Sequence, residues 1–174
     1  MEKIKSKDLE FVKYKDVFVE QCHYNFLCEE DTAKYTLWRT TKGLEEAKEK
    51  LKNWTSNLKD NDVFWLIKEI KSNKIIGFIC AEEIEQNVYG NIGIAIGLKF
   101  INNGYGSQSL EKLIEQILKQ GGKEIHYSHF KENVASQKLA LKYGFEYIKS
   151  EKRIRRHDGK EFKELFYILN INKT

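Results

Sequence analysis

A mixed α/β domain is what the pattern of this chain predicts, on three observations. Apolar residues alternate in short runs that read as strands. In longer stretches they recur at three- and four-residue steps that read as helices, and across residues 91–130 strand, helix and strand follow one another. A strand–helix–strand succession joins parallel neighbours through a right-handed crossover, whereas the paired runs on either side read as antiparallel hairpins. The expected sheet is therefore mostly antiparallel, with one parallel pair flanked by helices. With 174 residues, 41% hydrophobic and 13% aromatic, the sequence suits one domain over 1–174, and no proline-rich, serine-rich or repeating segment divides it.

After an apolar opening from Phe11 to Leu27, the positions Leu44, Ala47, Leu51, Trp54 and Leu58 make the stripe of a helix with one buried face. Val63–Ile70 reads as a strand, Lys71-Ser72-Asn73-Lys74 as a turn, and Ile75–Ile84 as the returning strand of a hairpin. A further strand covers Asn91–Leu98. Leu110, Leu113, Ile114, Ile117 and Leu118 mark an amphipathic helix beginning at Gly104, stopped by Gly121 and Gly122, which tolerate the left-handed conformation after a helix end. Ile125–Phe130 is the next strand. Asn133 can cap a helix over Val134–Tyr143 with Gly144 as its stop, and two closing strands, Phe145–Arg156 and Glu161–Leu169, meet at the turn Asp158-Gly159.

Several classes are excluded by composition. The chain is 32% charged and has no apolar run near the ~20 residues of a membrane span, and Met1–Asp8 is basic without an apolar stretch behind it, so a cytoplasmic protein is expected. Cys22, Cys28 and Cys80 are too few and too irregular for a disulfide framework, and Cys22-His23 with Cys28 lacks the further ligands of a closed zinc site; free thiols and no metal are expected. A net charge of +4 does not call for nucleic acid. The basic run Lys152-Arg153-Ile154-Arg155-Arg156-His157 reads as a solvated hairpin edge rather than an RNA contact.

Chemistry enters at Asn91–Ser107, where an apolar strand runs into a turn carrying Gly104 and Gly106 and then into a helix. Unpaired amides at a helix start carry partial positive charge, and the glycines remove side chains that keep an anion away, so the turn is suited to a phosphate group. Glycines that merely shape the turn are the alternative.

A second motif lies about thirty residues on: Asn133-Val134-Ala135-Ser136, then Lys142-Tyr143-Gly144-Phe145. Together with Gly104-Tyr105-Gly106-Ser107, it resembles the GNAT superfamily of acetyl-coenzyme A dependent N-acetyltransferases, in its ribosomal-protein N-terminal acetyltransferase branch. Ile92-Gly93, Trp65-x-Ile67, Ile76-Gly77 and Asp158-Gly159 fit the same branch, over roughly residues 30–170. The resemblance implies a central parallel pair that splays apart to admit pantetheine. Main-chain groups of Ile94, Ala95 and Ile96 would pair with that arm, and amides of Asn102, Asn103, Gly104, Tyr105, Gly106 and Ser107 would hold the pyrophosphate of acetyl-CoA, with Asn133 as a further contact. It also implies a primary-amine acceptor, such as a protein N-terminus, with a homodimer among the expected assemblies.

Three positions depart from the family's turn: Ile101 replaces Gln/Arg, Asn102 a glycine and Gln108 a Glu. Ser136 is the expected acid for the departing thiolate, because Ala140 stands where many relatives carry Tyr; Tyr143 is a weaker choice. The family's Glu before Ile-Gly is Asn91, which accepts no proton. Glu82, Glu83 and Glu85 on the preceding strand are the base candidates, with His126 and His129 read as strand-face residues. Tyr35, Trp38 and Tyr89 are candidates for an acceptor pocket. The alternative to an enzyme is an acyl-CoA-binding module of the same fold without catalysis, which Asn91 and Ala140 make reasonable.

Overall fold

The strands are β1 (Ile4–Lys5), β2 (Leu9–Val12), β3 (Val63–Glu69), β4 (Lys74–Glu85), β5 (Val88–Ile96), β6 (Glu124–Phe130), β7 (Glu146–Ile154) and β8 (Glu161–Asn170). The computed structural model describes residues 4–171, so the ends of the expected 1–174 domain, and the first residues of the basic opening Met1–Asp8, lie outside the described residues. Among the described residues these strands form one sheet in the order β1-β2-β3-β4-β5-β6-β8-β7. Neighbours are antiparallel except β5 and β6, which run parallel. This is the mixed sheet with one parallel pair that the strand–helix–strand unit predicts.

Each face of the sheet has its own core. Val63, Trp65 and Ile67 of β3 alternate with Phe64 and Leu66, as expected for a strand covered on both sides. The first set packs with Leu110, Leu113 and Ile117 of α4 (Tyr105–Lys119) and with Ala140 of α5 (Val134–Lys142). The second packs with Ala47 and Leu51 of α3 (Leu44–Thr55), and with Val19, Cys22, Phe26 and Leu27 of the helical segment 16–33. That segment contains α1 (Val19–Cys22), a π-helical turn over His23–Leu27, and α2 (Glu30–Ala33). It docks onto the sheet by hydrogen bonds: the Ile75 amide donates to Gln21 at 2.8 Å and Asn25 donates to the Ile75 carbonyl at 2.6 Å. A Cβ at Gly97 would stand 1.8 Å from the Asn25 carbonyl oxygen, so glycine there is what allows the approach.

Boundaries shift where polar side chains compete with the backbone. α3 stops at Thr55, whose hydroxyl donates to the Leu51 carbonyl at 2.8 Å, and Leu58 falls beyond the helix. β5 begins at Val88, three residues before the expected start. Its register against β4 passes from Cys80–Gly93 to Glu82–Gly90, which leaves β5 an extra residue at a bulge where Asn91 takes φ of +50°. The last strand, β7, is a sheet edge carrying Glu146, Lys149, Glu151, Lys152 and Arg153, charges that discourage pairing with another chain. One member of the basic run is not solvated: Arg155 is 9% exposed, paired with Asp158 across the turn and donating to the Lys34 carbonyl at 3.0 Å. No helix among the described residues is long and apolar enough to cross a membrane.

Candidate active site

The turn between β5 and α4 is open and built from backbone. Asn102 and Gly104 lie at φ of +64° and +74°, and the first helical bond of α4 runs from the Gln108 amide to the Gly104 carbonyl at 3.1 Å. The amides of Tyr105, Gly106 and Ser107 therefore precede the helical ladder, and no side chain caps this helix start. A Cβ at Gly104 would meet nothing within 4 Å, and one at Gly106 only Leu139 at 3.9 Å. Asn103 turns its amide back on the carbonyls of Phe100 and Ile101, each at 3.1 Å, and Tyr105 donates its hydroxyl to Glu69 at 2.6 Å. That last bond, more than burial, pushes the Tyr105 hydroxyl up to about 12. The departure from glycine at position 102 has a physical reading, because Asn is among the side chains best tolerated in the left-handed region.

A lysine stands beside the turn. The Lys142 ammonium donates to Ser107 Oγ at 2.5 Å, and the Tyr143 hydroxyl donates to the Ser107 carbonyl at 2.8 Å. Gln108 faces the other way, donating to Asp8 at 2.8 Å and accepting from Ser6 at 2.8 Å. Its role here is to fasten the β1–β2 connection to α4.

Where the parallel pair parts, a cavity opens. Pairing between β5 and β6 is confined to Val88–Glu124 and Tyr89–Ile125. Farther along, Ile94, Ala95 and Ile96 still pair with Ile79, Phe78 and Gly77 of β4, while their other side faces the gap. The cavity has a volume of about 780 Å³ and reaches Ile92–Ile94 of β5, Tyr127–Phe130 of β6, and Asn133 and Ser136 at the start of α5. Its far wall is aromatic, from Tyr35, Trp38, Trp54, Phe64 and Phe78. Arg155 fixes that wall through the 34–36 loop, since it also donates to the Thr36 carbonyl at 3.4 Å.

The polar groups of the cavity are individually held. Asn133 caps α5, its Oδ1 accepting from the Ser136 amide at 3.1 Å, which is the role expected from its position. Ser136 Oγ lies 2.7 Å from the Tyr127 hydroxyl. Burial raises the Tyr127 pKa and the bond to Ser136 partly offsets that, so both hydroxyls keep their protons at neutral pH. Cys80 also lines the cavity; burial holds its thiol up at about 12. Carboxylates outnumber cations, with Asp62, Glu82 and Glu164 against Lys59, although the whole chain is positive. Glu164 accepts from Ser128 at 2.7 Å and lies 3.2 Å from the Arg153 guanidinium.

Of the carboxylates singled out from sequence, Glu82 reaches the cavity and accepts from the Asn91 side chain at 2.8 Å. Glu83 does not: it accepts from Asn61 and from the Asn87 amide at the β4–β5 turn, bonds that hold its carboxyl below its ordinary range. Glu85 sits exposed at the β4–β5 turn, away from the cavity lining. Tyr89 is fully buried in the core and leaves the pocket to Tyr35 and Trp38. His126 is exposed and lies 2.6 Å from Glu124, and Ala140 is buried in the core of the sheet. Tyr143 is committed to Ser107.

Sequence reasoning missed Tyr127, Glu164 and the placement of Cys80. Strand alternation along Ile125, Tyr127 and His129 was the available signal for the first; β8 carried none for Glu164. Among the described residues no group of three or more His, Cys, Asp or Glu side chains is placed to hold a metal.

A family model described as an acetyltransferase (GNAT) domain matches residues 9–146. The chain belongs to the GNAT acetyltransferase family. Members of this family use acetyl-coenzyme A, and the parted strands and open turn described above have the form that co-substrate requires. A search of curated protein sequences finds no significant match. Among solved structures, this GNAT chain is similar to RimL, a ribosomal α-N-protein acetyltransferase, in a form without ligand: 22% identity, TM-score 0.83, covering 98% of this chain and 94% of that one. A coenzyme A complex of RimL matches at 20% identity and TM-score 0.81, over 99% and 100% of the two chains. A GNAT-family acetyltransferase from Bacillus anthracis matches at 19% identity and TM-score 0.82, over 97% and 98%. At these identities the likeness is one of fold.

Proposed function

We propose that the protein is an acetyl-CoA-dependent N-acetyltransferase in which a primary amine attacks the thioester directly. One observation carries the reading: the parallel pair parts after Tyr89–Ile125 over a carboxylate-lined cavity, and β5 runs on past that parting toward the open glycine turn at the start of α4. Amides of residues 102–107, with the Lys142 ammonium beside them, hold the pyrophosphate, and Ile94, Ala95 and Ile96 offer pantetheine a free strand side. The thioester then lies near Ser136, whose hydroxyl, backed by Tyr127 at 2.7 Å, gives the proton to the leaving thiolate. Asn133 orients that helix start.

Cys80 takes no covalent part, because a thiol held protonated by burial is a poor nucleophile. Asp62, Glu82 and Glu164 draw a cationic acceptor into an aromatic-walled cleft. An α-amine, with an ordinary pKa near 8, is neutral far more often at pH 7 than a lysine at about 10.4, so a peptide N-terminus or a small amine of low pKa is the acceptor. RimL, which acetylates a ribosomal protein α-amine, supports a protein acceptor in the cytoplasm. A homodimer is compatible with this scheme.

The other reading is a binding module that keeps the cradle without the chemistry, favoured by Asn91 and Ala140. Incubating the protein with acetyl-CoA, a panel of amines and a thiol reagent separates the two. Amine-dependent thiol release supports the enzyme; binding of acetyl-CoA without release supports the module.

A further inference from the structure

We propose that Arg155 is a positioning residue for the acceptor amine: from the β7–β8 turn it holds the 34–38 loop across the gap between the parted strands, and so sets how tightly the acceptor binds. This rests on the N-acetyltransferase reading and extends it to a residue outside the cavity lining. Tyr35, Thr36, Leu37 and Trp38 line the cavity, and the loop that carries them joins its two sides. On one side the Trp38 ring meets Trp54 of α3 edge-on at 5.9 Å, and Trp54 packs on Phe78 of β4 at 5.0 Å. On the other, Tyr35 lies 6.3 Å from Phe130 of β6, which stacks on Phe162 of β8 at 3.8 Å.

The loop has little of its own to hold this course. Neither helix nor strand covers 34–38, and its turn is made by Thr36, whose amide and hydroxyl both donate to the Ala33 carbonyl, at 3.0 and 2.8 Å. The carbonyls of Lys34 and Thr36 are taken up by one guanidinium, since Arg155 Nη1 donates to them at 3.0 and 3.4 Å. The rest of the same fork binds the Asp158 carboxylate, through Nε at 3.0 Å and through Nη2. A charge this buried needs acceptors around it, and the loop supplies two of them, so guanidinium and loop hold each other. The anchor is itself braced: the Arg155 amide donates to the Lys160 carbonyl and the Gly159 amide to the Arg155 carbonyl, both at 2.8 Å.

An ammonium at this position would lack the planar fork that spans a carboxylate and two carbonyls. The effect falls on the acceptor. Ser136 and Tyr127 are bonded to each other on α5 and β6, and the open amides stand at the start of α4, so a loosened loop leaves the proton donor and the glycine turn in place.

The test is steady-state kinetics of amine-dependent thiol release, with acetyl-CoA affinity by calorimetry and timed trypsin cleavage after Lys34 and Arg39, in wild type, Arg155→Met and Asp158→Asn. Arg155→Met is expected to raise the acceptor KM about tenfold, with kcat at saturating acceptor and the acetyl-CoA Kd each within about twofold. Cleavage in the loop should run about tenfold faster, because the loop then opens locally more often. Asp158→Asn leaves the bonds to the two carbonyls and removes the charge that orients the fork, so both readings should move the same way by about threefold; this variant decides the matter alone if Arg155→Met does not fold. An unchanged acceptor KM overturns the proposal, as does an equal loss of acetyl-CoA affinity, a fall in kcat with KM unmoved, or a loop no more open to trypsin. Wild type that releases no thiol with any amine sinks the enzyme reading instead, and this one with it.

Discussion

The glycine turn that follows β5 and the cavity that opens where β5 and β6 part are made of different material. At the turn the working groups are main-chain amides, presented by φ values of +64° and +74° at Asn102 and Gly104. In the cavity they are side chains from β4, β6, β8, α5 and the 34–38 loop, brought together by strand order and by the docking of helix and loop on the sheet. Backbone donors survive changes of residue identity; the turn departs from its family pattern at Ile101, Asn102 and Gln108 and still leaves its amides open. Side-chain chemistry has no such tolerance, and each cavity group depends on its own partner, Ser136 on Tyr127 and Glu164 on Ser128.

This contrast is breakable. Ser136→Ala is expected to lower kcat by about 10²-fold while acetyl-CoA affinity, read by calorimetry, stays the same; a parallel loss of affinity would blur the line between the two regions. Gly104→Val makes positive φ cost about 1–2 kcal/mol; the free turn relieves this by leaving that conformation, and restoring it on binding should make the acetyl-CoA Kd roughly tenfold weaker. Glu164→Gln keeps the hydrogen bond from Ser128 and removes a charge, so the acceptor KM should rise severalfold for a cationic amine and the acetyl-CoA KM should not move. Cys80→Ser is expected to leave turnover within about twofold, and a trapped acetyl-cysteine at that position would overturn direct transfer.

The two regions also differ in how much could be read from the chain. Strand and helix positions followed from apolar periodicity, and the parallel pair from the strand–helix–strand order, because both are local properties. Asn133 was legible as a cap since its partner amide is three residues away. Glu82, Glu83 and Glu85 are equivalent in the sequence pattern; the bulged Asn91 bonds the first at the cavity, and the Asn87 amide in the β4–β5 turn holds the second. Arg155 looked like part of a solvated edge, and its burial depends on carbonyls more than a hundred residues earlier.

Sequence alone determined which segments are strands and helices, where a glycine turn leaves main-chain amides open at a helix start, and to which family the chain belongs, because these depend on residues within a few positions of one another. Tertiary structure decided which acids and hydroxyls meet in the cavity. Tyr127 comes within hydrogen-bond reach of Ser136, and Glu164 joins the same lining, because β5 and β6 part and β8 inserts beside β6. That pairing is set by packing across the whole sheet, and no run of neighbouring residues records it.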